Sequence, residues 1–285
     1  MKKILIFSIF LLPFFAFSHT HSLQLAKNDG NTLTERISLP PRFKRLNAEK
    51  GSFAWYLRTY PLKEAQSPVL LYNKKNSDNQ DSHVAIFDLE LENYDLQQSA
   101  QSVIRLYSDY LLKTEHEDKI AFHMTNGESC VWKEWLKKSQ IKRKELSEAV
   151  DNLKIWTKYE NAASKEEIYK SYLKNVFTGT NSLSIMEYES RQISMYEAKI
   201  GDILLDLGED GHICLIVDVA ANQETGEKAF LLAQGSKPAQ DFHIIKNPKR
   251  INDPWYYEED FLNRLQTPDH TFPKNSFRRL IYLQN

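Results

Sequence analysis

Gly201-Asp202-Ile203-Leu204-Leu205-Asp206, Gly211-His212-Ile213-Cys214-Leu215-Ile216-Val217-Asp218 and Phe230-Leu231-Leu232-Ala233-Gln234 stand close together in the last third of the chain. Short apolar runs punctuated by glycine and charged residues read as buried β-strands. The polar turn Asn222 to Glu227 separates the second run from the third, so 212–219 and 229–234 form a hairpin. A titratable His at the mouth of such a strand has its ring fixed by the sheet and its edge near a cleft, which suits a general base. The hairpin brings the end of one strand beside the start of the other. Gln234 then reaches the His212 ring and orients it by a hydrogen bond, the part of the third member in a catalytic triad. The plainer readings are a satisfied strand-edge imidazole and an amide that holds a loop.

Working outward, strands are expected at 242–245 and 277–283, and earlier at Val69–Tyr72, Val84–Phe87 and Ile120–Met124. Ser52 caps a short helix. The apolar spacing of Leu96, Ala100, Val103, Ile104, Tyr107 and Leu111 predicts a helix from Asp95 to Leu112. Charged helical stretches follow from about Ser129 through Trp132 to Ala149, and from Lys165 to Phe177. The fold class is α+β, with helices packed on a mainly antiparallel sheet.

The first residues, MKKILIFSIFLLPFFAFSHT, combine Lys2 and Lys3, an apolar run to Phe17, and the small residues Ala16 and Ser18. This is the pattern of a secretory leader cut after Ser18. Export to a periplasm or beyond is expected, with 1–18 as leader, 19–50 as an extended arm and 51–285 as a single domain. Of 37 Lys and Arg, the leader takes Lys2 and Lys3. Against 38 Asp and Glu, the remaining chain has a formal net charge of −3. That balance argues against nucleic acid as a partner, and no second apolar run suggests integral membrane association. The aromatic content of 12% supports a packed core. Cutting after Ser18 also exposes His19-Thr20-His21. A free amine with a His in third place can chelate Cu(II) in a square plane, so His19 and His21 are metal candidates. No resident cofactor is expected.

The nucleophile is the open question. A helix N-terminus lowers a thiol's pKa. Cys130, at the expected start of the Trp132 helix, and Ser99, in the first turns of the 95–112 helix, both fit that geometry. Cys130 has the better atom, because a Ser needs a strong base. Cys214, mid-strand, reads as a small buried residue. His83 opens a strand and can line the same cleft. His123, His243 and His270 read as structural.

Several motifs together resemble a known family. They are Gly51-Ser52-Phe53-Ala54 with Leu57-Arg58, Asp95-Leu96-Gln97-Gln98, Tyr172-Leu173 with Val176-Phe177 and Gly179-Thr180, Gly211-His212 with Ile216-Val217-Asp218, Leu232-Ala233-Gln234 with Pro238-Ala239-Gln240, and Trp255-Tyr256. Over roughly residues 50–283 the chain resembles the uncharacterised secreted bacterial family catalogued as domain of unknown function 4846. In that family the residue after Asp-Leu-Gln-Gln is usually Cys; here it is Ser99. The order of helix-borne nucleophile, Gly-His strand and polar third residue is similar to NlpC-type, papain-like cell-wall peptidases. The resemblance implies a papain-like fold, Ser99 at the nucleophile position, His212 as base, Gln234 as orienter and Gln97 or Gln98 near an oxyanion site. The departure at Ser99 leaves a Ser-dependent variant, a site served by Cys130, or a binding remnant.

The first functional expectation is therefore an exported amide hydrolase acting on peptidoglycan-type peptides. The second is a non-catalytic envelope module that binds a peptide or glycan, with Trp55, Trp255, Tyr256 and Tyr257 as its aromatic platform. The third is copper handling through His19 and His21.

Overall fold

The computed structural model describes residues 24–140, 164–208 and 211–283. Its helices are α1 (Leu33–Arg36), α2 (Phe53–Thr59), α3 (Ser99–Lys113), α4 (132–140), α5 (Lys165–Gly179) and α6 (Ser182–Ser184). Its strands are β1 (Phe43–Arg45), β2 (His83–Ile86), β3 (Ala121–His123), β4 (Ser129–Val131), β5 (Ser190–Gln192), β6 (Ile203–Asp206), β7 (His212–Asn222), β8 (Lys228–Gln234), β9 (His243–Ile245), β10 (Tyr256–Tyr257), β11 (Leu265–Gln266), β12 (Thr271–Phe272) and β13 (Phe277–Leu280).

The protein is α+β, and every strand pair among the described residues is antiparallel. The main sheet runs β2-β9-β8-β7-β6-β13-β5, with β1 added to β7 and β10 to β8. The expected hairpin is β7–β8, in which Leu215 faces Ala233 and Ile216 faces Leu232. Two small hairpins, β3–β4 and β11–β12, stand apart from it. Instead of a strand, Leu70 and Leu71 form single bridges to Asn76 and Gln240.

Side chains alternate across a strand, so the register assigns each residue to a face. Phe230, Leu232 and Gln234 share one face with Cys214 and Leu204; Leu231, Ala233 and Leu215 lie on the other. The helices cover this second face. Arg58 of α2 binds Asp218, the partner of Leu231, and Phe53 of α2 packs edge-on against Tyr107 of α3. The first face is covered by the segment 258–276, where Phe261 meets both Phe230 and Phe277.

Local chemistry sets the helix starts. Ser52 accepts the Trp55 N–H, and Ser164 with Glu167 makes a reciprocal capping box on α5. The α3 helix begins at Ser99 rather than Asp95. Asp95 Oδ1 is engaged elsewhere, accepting from Ala239 N at 2.6 Å and from Gln98 Nε2 at 3.1 Å.

The arm expected over 19–50 is corrected from Leu25 onward. Leu25, Leu33 and Ile37 are buried in the core, and Phe43–Arg45 pairs with β7, so the domain does not begin at Gly51. Leu33 and Ile37, four residues apart, lie on one side of the α1 turn and bury together. No helix among the described residues is long and apolar enough to cross a membrane. The expected leader over 1–18 and the metal candidates His19 and His21 lie outside the described residues, as does the expected helix beyond residue 140.

Candidate functional site

His212 opens β7, and Gln234 closes β8. In antiparallel pairing these ends adjoin. Both side chains lie on the face away from the helices, and His212 Nε2 lies 2.8 Å from Gln234 Oε1. Gln234 is fully buried, and its Nε2 donates to Asp269 Oδ2 at 2.9 Å. A carboxylate only accepts hydrogen bonds. The amide nitrogen must therefore face Asp269 and the amide oxygen must face the imidazole. Oε1 accepts, so His212 Nε2 carries the hydrogen and the neutral ring keeps its lone pair on Nδ1. Cys214 Sγ donates to the same oxygen at 3.3 Å, which reinforces that orientation. Asn79 Nδ2 binds the other oxygen of Asp269 at 2.6 Å.

A second imidazole joins this centre. His270 stacks on His212 with ring centroids 4.9 Å apart and a tilt of 32°, and its Nε2 lies 3.0 Å from Asp206 Oδ2. Asp206 is the cross-strand partner of His212. Phe272 stands against both rings, at 5.8 Å from His212 and 4.7 Å from His270. Burial holds the His212 pKa below its ordinary value; the hydrogen bond to Gln234 opposes that and the proximity of His270 reinforces it. At neutral pH the ring is a neutral base, and its Nδ1 has no hydrogen-bond partner among the described residues. A neutral imidazole with a fixed tautomer can take a proton from a nucleophile and return it to a leaving group.

Ser99 is the first residue of α3, and its Oγ makes no hydrogen bond to a described residue. The α3 helix lies on the opposite face of the sheet, but its first turn comes onto the same strand ends. A Cβ on Gly235 would stand 2.5 Å from Ser102 Oγ and 3.1 Å from the Gln98 carbonyl. On the other side, a Cβ on Gly211 would stand 2.9 Å from Ser182 Cβ. The first turn of α3 therefore adjoins the strand end just after Gln234, α6 adjoins the strand end just before His212, and no hydrogen bond joins Ser99 to His212. Gln98 turns its side chain to Asp95. Gln97 is buried, donates to the Glu90 carbonyl at 3.2 Å, and leaves its amide oxygen without a partner among the described residues.

Cys130 is corrected. It lies inside β4 and not at a helix start, paired with Phe122, while α4 begins at Trp132. Its half-buried thiol meets Asn175 Nδ2 of α5 at 3.5 Å, and burial pushes its pKa up. That environment favours the thiol over the nucleophilic thiolate. Neither Cys130 nor Cys214 is in a disulfide, and burial pushes the Cys214 thiol well up.

The aromatic platform is also corrected. Trp255 and Tyr256 are fully buried, with the Trp255 indole N–H donating to the Ser38 carbonyl at 2.9 Å. Tyr257 is half-buried against Phe43 and Arg250. Trp55 is half-buried on α2, the helix that covers the face opposite His212. His83 holds the Ser67 carbonyl at 3.1 Å, and its ring lies 6.1 Å from that of His243, the cross-strand partner of Gln234. It backs the centre one strand further along. Among the described residues, no group of three or more His, Cys, Asp or Glu side chains is placed to hold a metal ion.

The reading of His270 as merely structural missed a member of this centre, together with Asp206 and Asp269. Asp206 had a signal: it ends an apolar strand adjoining the Gly-His turn. Asp269 and His270 had none, because they arrive on a four-residue turn between two-residue strands.

The family model described as Domain of unknown function (4846) matches residues 33–279. No curated protein and no solved structure matches the chain.

Proposed function

The chain belongs to the family described as domain of unknown function 4846, and on that premise we propose that it is an exported, papain-like hydrolase of amide bonds in cell-envelope peptides of the peptidoglycan type. The observation that carries this reading is the 2.8 Å bond from His212 Nε2 to a Gln234 amide whose orientation Asp269 dictates. It leaves the base nitrogen on the unbonded side of the ring, as acyl transfer requires. In this reading Ser99 Oγ attacks the amide carbonyl while His212 Nδ1 takes its proton, once the first turn of α3 is carried past the strand ends to the face that bears His212. The imidazolium then protonates the departing amine, and water hydrolyses the acyl-enzyme by the same route. Ser99 at N1 of α3 supports the assignment, since free backbone N–H groups at a helix start favour a developing oxyanion. The apolar leader supports export.

The test is release of amine from labelled stem peptides by the chain lacking residues 1–18. Loss of turnover in His212→Ala and Ser99→Ala, with turnover kept or raised in Ser99→Cys, is expected. Unchanged turnover in His212→Ala rules the reading out.

The lack of a hydrogen bond between Ser99 and His212 favours a second reading, a cleft that binds such peptides without cleaving them. Saturable calorimetric binding of unlabelled stem peptide, with no amine released by wild type or Ser99→Cys, would establish that alternative.

A further inference from the structure

The turn from Thr267 to His270 is built to deliver two side chains to one place. Its ends close on each other: Thr267 N and Thr267 Oγ1 both donate to the His270 carbonyl at 2.9 Å, and His270 N donates to Thr267 Oγ1 at 3.1 Å. Thr267 itself is buried. From this closed turn Asp269 reaches behind Gln234 and His270 lies over His212. His270 is anchored in turn by Asp206 Oδ2, and Gly208 leaves that carboxylate its room, since a Cβ there would stand 2.9 Å from the same oxygen.

His212 has one hydrogen bond, through Nε2, among the described residues. A single bond along one ring edge sets the tautomer but leaves the ring plane free to rock about that contact. The flat face of His270, at 4.9 Å and tilted only 32°, removes that freedom on one side. We propose that His270 is a positioning residue of the His212 centre, its ring holding the His212 plane while Asp206 holds His270. The role rests on the reading of His212 as the working base, but its first test does not require turnover.

Among the described residues, the charged and titratable groups facing His212 are Asp206 from β6, Cys214 from β7, and Asp269 and His270 from the turn; Gln234 is its neutral partner. The imidazole nitrogens of the chain from residue 19 onward are followed by nitrogen-detected NMR across pH 4.5–8.5, in wild type and in His270→Ala, His270→Phe and Asp206→Asn. Wild type shows His212 as the Nε2–H tautomer. His270→Ala keeps the Nε2–H tautomer that Gln234 sets, but broadens the His212 ring resonances as the ring plane is freed, and moves the His212 midpoint upward, because the opposing influence of His270 is lost and water gains access. His270→Phe restores the sharp His212 ring resonances, because a flat ring returns. Asp206→Asn lies between, and tests the proposal if His270→Ala does not fold. If cleavage of stem peptide is seen, His270→Ala lowers kcat about 10- to 100-fold with KM little changed, the scale expected for a misaligned base. His212 ring linewidths and midpoint unmoved in folded His270→Ala, or in Asp206→Asn where that variant alone folds, overturn the proposal. If no peptide is ever cleaved but the His212 ring responds as stated, the positioning role stands and the hydrolase reading alone fails.

Discussion

Gln234 turns its amide oxygen, not its nitrogen, toward His212 Nε2, because Asp269 Oδ2 has already taken the nitrogen at 2.9 Å. The chain of acceptor and donor runs Asp269, Gln234, His212, and each link dictates the next. Removing the middle link strands the imidazole end. Gln234→Ala leaves the largely buried imidazole N–H without its partner, while the exposed Asp269 keeps its bond from Asn79, and the expected cost is about 1–3 kcal/mol in stability. It also frees the imidazole tautomer, and turnover on a labelled stem peptide should fall by about 100-fold. Urea unfolding and amine release measure the two effects. A variant with wild-type stability would mean that Gln234 does not bridge the two groups in solution.

Asp218 provides a second, purely structural test. It is fully buried and receives Arg45 Nε at 2.6 Å, Arg58 Nε at 2.8 Å, Arg58 Nη2 at 2.7 Å and its neighbour's N–H from Val219 at 2.9 Å. It thereby ties β1 and α2 to β7. Asp218→Ala leaves two guanidinium groups near the core facing no carboxylate, and the expected loss is about 3–5 kcal/mol. Arg58→Ala should cost more than Arg45→Ala, because Arg58 is the more deeply buried and gives two bonds to one oxygen. The order of the urea midpoints checks this.

Acid should weaken the fold through its buried imidazoles. His243 is fully buried; its Nδ1 lies 2.9 Å from the Asp241 carbonyl, its Nε2 has no partner among the described residues, and burial pushes its pKa down to about 4. An unfolded His titrates near about 6.5. Between those values the unfolded chain binds the extra proton, so stability is full above about pH 6.5 and is lost as pH falls toward 4, by up to about 3 kcal/mol. Burial also lowers His83 and His212, which adds to the same slope. Urea midpoints at pH 7.5, 6 and 4.5 should fall in that order. His243→Asn should flatten the decline, and an equal decline in that variant would remove His243 as its source.

What the sequence made legible follows the range of the interactions. The β7–β8 hairpin was readable because two apolar runs and one polar turn are local signals, and its register alone brought Gln234 to His212. Asp269 and His270 were not readable. They sit on a turn between β11 and β12, strands too short to show a period, and they reach the centre only because 258–276 folds over the sheet. Cys130 was misplaced for a related reason: a three-residue strand running straight into a helix has no boundary residue to mark the change. Trp255 and Tyr256 were offered to a ligand because an aromatic pair carries no sign of which side it faces. Pairing of β10 with β8 turns Tyr256 inward onto Phe230 and Phe261.

Gly235 couples the first turn of α3 to the strand end that carries Gln234, and that coupling can be measured by itself. A methyl group there would stand 2.5 Å from Ser102 Oγ, 3.1 Å from the Gln98 carbonyl and 3.3 Å from Ser102 Cβ. The hydroxyl is the nearest obstacle and belongs to a side chain, so it can be removed; the carbonyl belongs to the helix start and cannot. Gly235→Ala should therefore destabilise by about 1–3 kcal/mol, the usual scale of overpacking. Ser102→Ala alone forfeits only the weak 3.3 Å bond from its hydroxyl to the Gln97 carbonyl. In the double variant most of the clash is gone, so the two changes should be less costly together than their sum by at least about 0.5 kcal/mol. The residual cost measures the displacement of the Gln98 carbonyl, and with it the first turn that holds Ser99. Full additivity in the urea-unfolding cycle would mean that α3 does not close onto Gly235, and the coupling of the helix start to the strand end that carries Gln234 would have to be given up with it.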